Sequence, residues 1–175
     1  MRSQGFTLLE LVIALAIAAI LTFLILPATN AIVARQRVSN GLSSFINSLK
    51  YARTYAALHQ TGVTMLARQD NWGAGWTVFE DPNRNALQDD GERVLLSREP
   101  SDTLMIAGNQ PIASYVHFNM FGEPQLSSGG FQAGTLTLCS PEAPNTRYQL
   151  VMAKTGRVRI RSSESTSPCR AATGP

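Results

Sequence analysis

Near the C-terminal end of this 175-residue sequence, residue type and spacing coincide in a way that could do chemistry. Arg157, Arg159 and Arg161 alternate with Val158 and Ile160. In an extended strand alternate side chains share a face, so the three guanidinium groups stand about 6.5–7 Å apart on one side while the two aliphatics turn toward a core. Tyr148 to Ala153 reads as the partner strand, with Thr155-Gly156 as the tight turn and Gly156 supplying positive φ. The apolar face pins the register, so the arginines are presented together. Rigid multi-donor forks at this spacing suit the oxygens of a nucleic-acid backbone, bound with little sequence preference. Lys154 joins the patch, and Arg147 and Arg170 extend it. Two other readings of the same charges stay open. One is a solvated edge strand whose charges discourage sheet-to-sheet association, and the other is a contact with an acidic protein partner. No aromatic platform is evident beside the arginines, which favours the backbone of double-stranded DNA over stacking on single strands.

A second constellation is acidic. Asp81, Asn83, Asn85, Asp89 and Glu92 fall at positions 1, 3, 5, 9 and 12 of a calcium-loop template. The sixth position, where a sharp turn asks for Gly, is Ala86, and the flanks read as strands rather than helices. An Asx-rich connection bonding its own backbone is therefore the leading reading, with calcium as the minor one and no other metal expected. His59 and His117 have no ligand spacing to either cysteine and read as ordinary surface or packed side chains. The sequence has no G-x-S-x-G, P-loop or H-E-x-x-H motif and no carboxylate pair that can be placed in one cleft, so neither an enzyme nor a cofactor is expected.

The elements that must position these residues begin with an apolar rod. Phe6 to Leu26 holds 18 apolar residues in 21, and Thr22 is the one polar residue from Leu11 to Leu26. Such a run is read first as a membrane segment, with an uncleaved signal anchor and a cleaved signal peptide as alternatives. Glu10 argues against both, because a carboxylate within an apolar span costs about 2.5–3.5 kcal/mol at its centre and needs a partner. Past Pro27, which kinks a helix without having to end it, Val38, Leu42, Phe45, Leu49, Ala52 and Ala56 recur at helical spacing. One helix from about Phe6 to His59 is predicted, with Gly41 as a weak point of about 1 kcal/mol. Arg35, Arg37, Lys50 and Arg53 lie off the stripe, as a solvated face or a contact with lipid headgroups.

After Gly62 the pattern turns to short strands, at 63–68, 76–79, 94–98, 104–107, 115–119, 135–139, 148–153 and 157–161. The expected fold is α+β, with antiparallel sheets laid on the C-terminal half of the helix. The net charge of +3 conceals three blocks: +4 over residues 1–53, −5 over 54–141 and +4 over 142–175. The relevant charge is therefore local.

The stretch Gly5-Phe6-Thr7-Leu8-Leu9-Glu10, after the short leader Met1-Arg2-Ser3-Gln4, resembles the processing site of type IV prepilins. The resemblance implies a prepilin peptidase that cuts after Gly5 and methylates the new N-terminal Phe6. It also implies a Glu10 that neutralises the terminal amine of a neighbouring subunit in a low-dielectric filament core. Gly75-Trp76-Thr77-Val78-Phe79-Glu80-Asp81-Pro82-Asn83-Arg84-Asn85, followed by Asp89, Gly91-Glu92 and Val94-Leu95, looks like the signature of the FimT/GspH family of minor pilins and pseudopilins. Gly156-Arg157-Val158-Arg159 is similar to the Gly-Arg-x-Arg motif of its DNA-binding FimT members, which act in DNA uptake for natural transformation.

The resemblance implies a leader at 1–5, a transmembrane and filament-core helix at 6–27, an amphipathic helical half at 28–60 and a β-rich globular domain at 61–175. It implies a single-pass inner-membrane protein with its domain in the periplasm, later taken into a pilus or pseudopilus beside other pilins. The alternative function is structural, in pilus priming or as the H pseudopilin of type II secretion. Outside the cytoplasm, Cys139 and Cys169 are expected to form a disulfide worth about 3–4 kcal/mol by loop-closure entropy.

Overall fold

A computed structural model of the protein describes residues 7–99, 104–164 and 169, with the side chains of 23–31, 143–145 and 163–164 outside the description. Helix α1, Leu8–His59, runs unbroken through Pro27 over 52 residues, about 78 Å at 1.5 Å per residue. Thr7 caps it: its hydroxyl accepts the Glu10 amide at 3.3 Å. Thr7 and Glu10 stand at the spacing of a capping box, of which the bond from the Glu10 amide to the Thr7 hydroxyl is formed. At the other end Gln60 turns left-handed at φ 53°, and its amide and that of Thr61 both donate to the Ala56 carbonyl.

All six residues of the expected stripe are buried, joined by Ala34 and Ile46. Gly41 is more than a weak point, because a Cβ there would collide with the Leu104 side chain. The N-terminal half of α1 is different: Leu8, Leu9, Leu11, Val12, Ile13, Leu15, Ile17, Ile20 and Leu21 are at least half exposed. Among the described residues no helix is long and apolar enough to cross a membrane. Phe6, where the expected apolar run begins, lies outside the description, as do the side chains from Phe23 to Leu26.

Among the described residues eight strands follow, one at each expected place: β1 (Val63–Ala67), β2 (Trp76–Glu80), β3 (Val94–Arg98), β4 (Met105–Gly108), β5 (Tyr115–Phe118), β6 (Gly134–Ser140), β7 (Ala143–Met152) and β8 (Val158–Glu164). They form two antiparallel four-stranded sheets, ordered β3-β2-β1-β5 and β4-β6-β7-β8. This is the α+β arrangement the pattern predicts. The α1 stripe packs between them, with Phe45 edge-on to both Trp72 and Trp76 at 5.1 Å. Leu136, Leu138, Leu150 and Met152 close the core from the second sheet.

Candidate nucleic-acid interface

β8 is the outer strand of the second sheet, and its register places Val158 opposite Met152, Arg159 opposite Val151, Ile160 opposite Leu150 and Arg161 opposite Gln149. Met152 and Leu150 are buried, so alternation turns Arg159 and Arg161 to the face away from α1, while Arg157, one residue before the strand, also borders a groove with Leu49, Lys50 and Arg53 of α1. All three arginines and Lys154 are exposed. Among the described residues no hydrogen bond or ion pair engages any of these four side chains. Val158 packs on the core as expected, but Ile160 is 53% exposed although Leu150 opposite it is fully buried: the core ends sideways at β7 there, and the outer strand β8 lies beyond it. Arg147 lies on the arginine face by register, opposite Ser163, and is half-buried. Arg170 is outside the described residues.

The turn differs by one residue from the expectation. Gly156 donates its amide to the Ala153 carbonyl and Ala153 donates to Arg157, so Lys154-Thr155 form the tip and Gly156 follows them at φ 75°. This is the three-residue loop in which a left-handed glycine closes the turn and restores the strand. From α1, Arg53 reaches over: its Nε donates to the Gly122 carbonyl at 2.9 Å and its Nη1 to the Gly156 carbonyl at 3.4 Å. Lys50, one turn earlier on α1, lines the same small groove as Gly156, Arg157 and Val158. Two of the four off-stripe cations of the sequence, Lys50 and Arg53, therefore belong to the hairpin tip, and fold topology alone brings them there.

Aromatic side chains also arrive from elsewhere in the chain. Phe121 is 72% exposed and Phe131 71%. Phe121 lines a groove of about 570 Å³ with Lys50 and Arg53, and Phe131 one of about 320 Å³ with Lys154 and Thr155. Both belong to the segment between β5 and β6, more than 20 residues before the arginines in sequence, so a reading of neighbours along the chain misses them.

Cys139 and Cys169 are disulfide-bonded over a separation of 30 residues. Cys139 pairs with Arg147, so the bridge holds Cys169 against the arginine face at the end remote from the turn.

The residues of the calcium template bond chiefly to one another and to the backbone of their own loop. Asp81 is buried, and its Oδ2 accepts the Thr64 hydroxyl at 2.5 Å and the Ala86 amide at 3.1 Å. Thr64 has one proton, which goes to Asp81, so the contact of its Oγ1 with His117 Nδ1 at 2.8 Å makes Nδ1 the donor. Burial raises the Asp81 carboxyl, but the bonds from His117, Thr64 and Ala86 outweigh it and hold the group below its ordinary value. Asn83 and Asn85 each donate to Asp89 Oδ2, at 2.9 and 2.7 Å, and Glu92 accepts the Asp89 amide at 3.0 Å. Asn83 and Asn85 each also accept an amide two residues on, the Asx-turn pattern. Among the described residues no group of His, Cys, Asp or Glu could hold a metal ion. His59 stacks on Tyr55 at 4.0 Å.

Glu10 is exposed near the start of α1, and Gly5 and Phe6 lie outside the described residues. Of the other cations off the stripe, Arg35 is exposed and Arg37 pairs with Glu142 at 2.9 Å.

Two families match the chain: that of the type II transport protein GspH over residues 42–156, and the prokaryotic N-terminal methylation motif over residues 1–26. No curated protein is significantly similar in sequence. Among solved structures, the type IV minor pilin FimU of Pseudomonas aeruginosa is similar in two crystal forms. The first superposes with a TM-score of 0.56 at 16% identity, covering 73% of this chain and 90% of that one. The second gives 0.55 at 16%, with 70% and 91% covered. The minor pseudopilin EpsH from the type 2 secretion system of Vibrio cholerae gives 0.49 at 14% identity, covering 69% of this chain and 92% of that one.

Proposed function

The chain belongs to the GspH family, and from that premise we propose that it is a minor pilin that binds DNA through the arginine face of β8 during DNA uptake in natural transformation. Its broad role is that of a minor pilin or pseudopilin, a structural subunit assembled with other pilins in a type IV pilus or type II secretion filament. The methylation motif and the family imply an inner-membrane-anchored protein with a periplasmic domain.

The observation that carries the DNA reading is the exposed register of Arg159 and Arg161, with exposed Arg157 and Lys154 at the adjoining turn and no protein group engaging any of them among the described residues. Unspent guanidinium donors on one strand face are suited to phosphate oxygens. The middle block with its net charge of −5 disfavours DNA elsewhere on the domain. For assembly, residues 1–5 act as a leader cut after Gly5, Phe6 is methylated, and Glu10 meets the amine of a neighbour. The segments 6–27, 28–60 and 61–175 then serve as filament-core helix, amphipathic half and globular domain.

The test is the duplex affinity of the Arg157→Ala/Arg159→Ala variant as a function of salt. Loss of two phosphate contacts weakens binding for all sequences alike and flattens the log affinity against log salt slope by about 2. Unchanged binding rejects the site and leaves the structural reading, in pilus priming or type II secretion, which the GspH membership supports by itself.

A further inference from the structure

We propose that the hairpin tip carries a subsite for single-stranded DNA, in which Phe121 and Phe131 stack on unpaired bases while the neighbouring cations hold the strand's phosphates; this rests on the DNA reading above. The two phenyl rings are among the most exposed large apolar side chains of the globular part, and both stand next to cations. Along the surface, the groove holding Phe121 contains Lys50 and Arg53, the next holds those two with Arg157, and beyond the tip Lys154 shares a groove with Phe131. Glu123 is the one acidic residue lining the three grooves, beside Lys154. A duplex buries its base faces in its own stack and offers a protein backbone and groove edges only. A single strand offers π-faces, and a surface that interleaves aromatics with cations matches it at both kinds of group.

The backbone that presents the rings is also held in place. Asn119 Oδ1 accepts the amides of Phe121 and Glu123 at 2.9 and 3.0 Å, and Asn119 O accepts that of Gly122 at 2.8 Å. Arg53 bonds the Gly122 carbonyl, so the turn that presents Phe121 is tied to α1. Phe131 is bridged to Gln125, whose side-chain amide donates to the Gly129 carbonyl at 2.9 Å. With the backbone fixed before binding, only the side-chain torsions of the two rings remain to be ordered when a base stacks on them.

The experiment is fluorescence anisotropy on the full-length chain in detergent, with a labelled oligothymidine and a duplex of equal length at one salt concentration. Phe121→Leu/Phe131→Leu keeps apolar bulk without the flat ring, and Phe121→Ala/Phe131→Ala removes both. Each is expected to weaken oligothymidine binding about tenfold or more while duplex affinity stays within about twofold. Arg157→Ala/Arg159→Ala is expected to weaken both ligands. Phenylalanine variants that bind oligothymidine like the wild type overturn the subsite and leave the arginine reading standing. Equal loss for both ligands also overturns it, since stacking cannot act on a closed duplex. Wild-type protein that binds neither ligand removes the arginine reading and the subsite together.

Discussion

The guanidinium of Arg53 bonds the carbonyl of Gly156 across 103 residues of chain, and with its second bond to Gly122 it joins helix, loop and hairpin at one point. The neighbouring backbone is fitted to that side chain. A Cβ on Gly156 would stand 3.2 Å from Arg53 Nε and 3.3 Å from Gly122 O, at a φ of 75° that L side chains rarely adopt. Arg53→Lys keeps the charge but loses the fork, and is expected to cost about 1 kcal/mol and to speed amide hydrogen exchange in 119–123 and 153–157. Thermal unfolding and exchange indistinguishable from wild type would show that the fork holds nothing.

Asp81 gives the domain an acid-sensitive component. Its carboxyl titrates below the ordinary 3.8, so it contributes stability that is complete above that value and is lost as pH falls through the lower folded value. Asp81→Asn is expected to lower stability at neutral pH by about 1–3 kcal/mol, because a buried charge-assisted acceptor for Thr64 and His117 is gone. The same variant should lose part of the wild type's acid dependence below about pH 4. Denaturant unfolding at a series of pH values checks both; parallel profiles for the two proteins would contradict the assignment.

Gly41 reverses a familiar rule. Replacing glycine with alanine inside a helix ordinarily stabilises by about 1 kcal/mol. Here the new methyl meets Leu104, so Gly41→Ala is expected to destabilise by about 1–3 kcal/mol through overpacking. In a double-mutant cycle, the cost of Gly41→Ala should shrink in the Leu104→Ala background, because the smaller side chain vacates that space. A higher unfolding midpoint in the single variant would sink the packing argument.

Much of this architecture was legible from periodicity alone. The α1 stripe and the eight strands are local patterns, and Val38 to Ala56 could bury one face only by being helical. The Cys139–Cys169 bridge followed from composition and compartment. What escaped depends on distance along the chain. Arg53 and Lys50 read as surface charges on a helix until topology sets them beside Gly156, and Phe121 and Phe131 join the cationic tip by the same route. Asp81 matched a ligand template in sequence, yet Thr64 and His117, from two other strands, engage its Oδ2 inside the core while the Asn85 amide takes its Oδ1. Ile160 kept the apolar alternation of a buried strand although the core ends before it, a boundary that only the packed sheets define.

The position of β8 at the rim of its sheet has a mechanical consequence. A strand attached on one side only is opened by peeling, one pair of hydrogen bonds after another, and offers little resistance to a pull applied at its turn. Arg53 braces that turn against α1, while the disulfide closes the loop of chain between β6 and Cys169, beyond the strand's other end. A pull at the tip therefore acts on the 52-residue helix through Arg53 as well as on the edge strand, and the helix is anchored by the stripe both sheets bury.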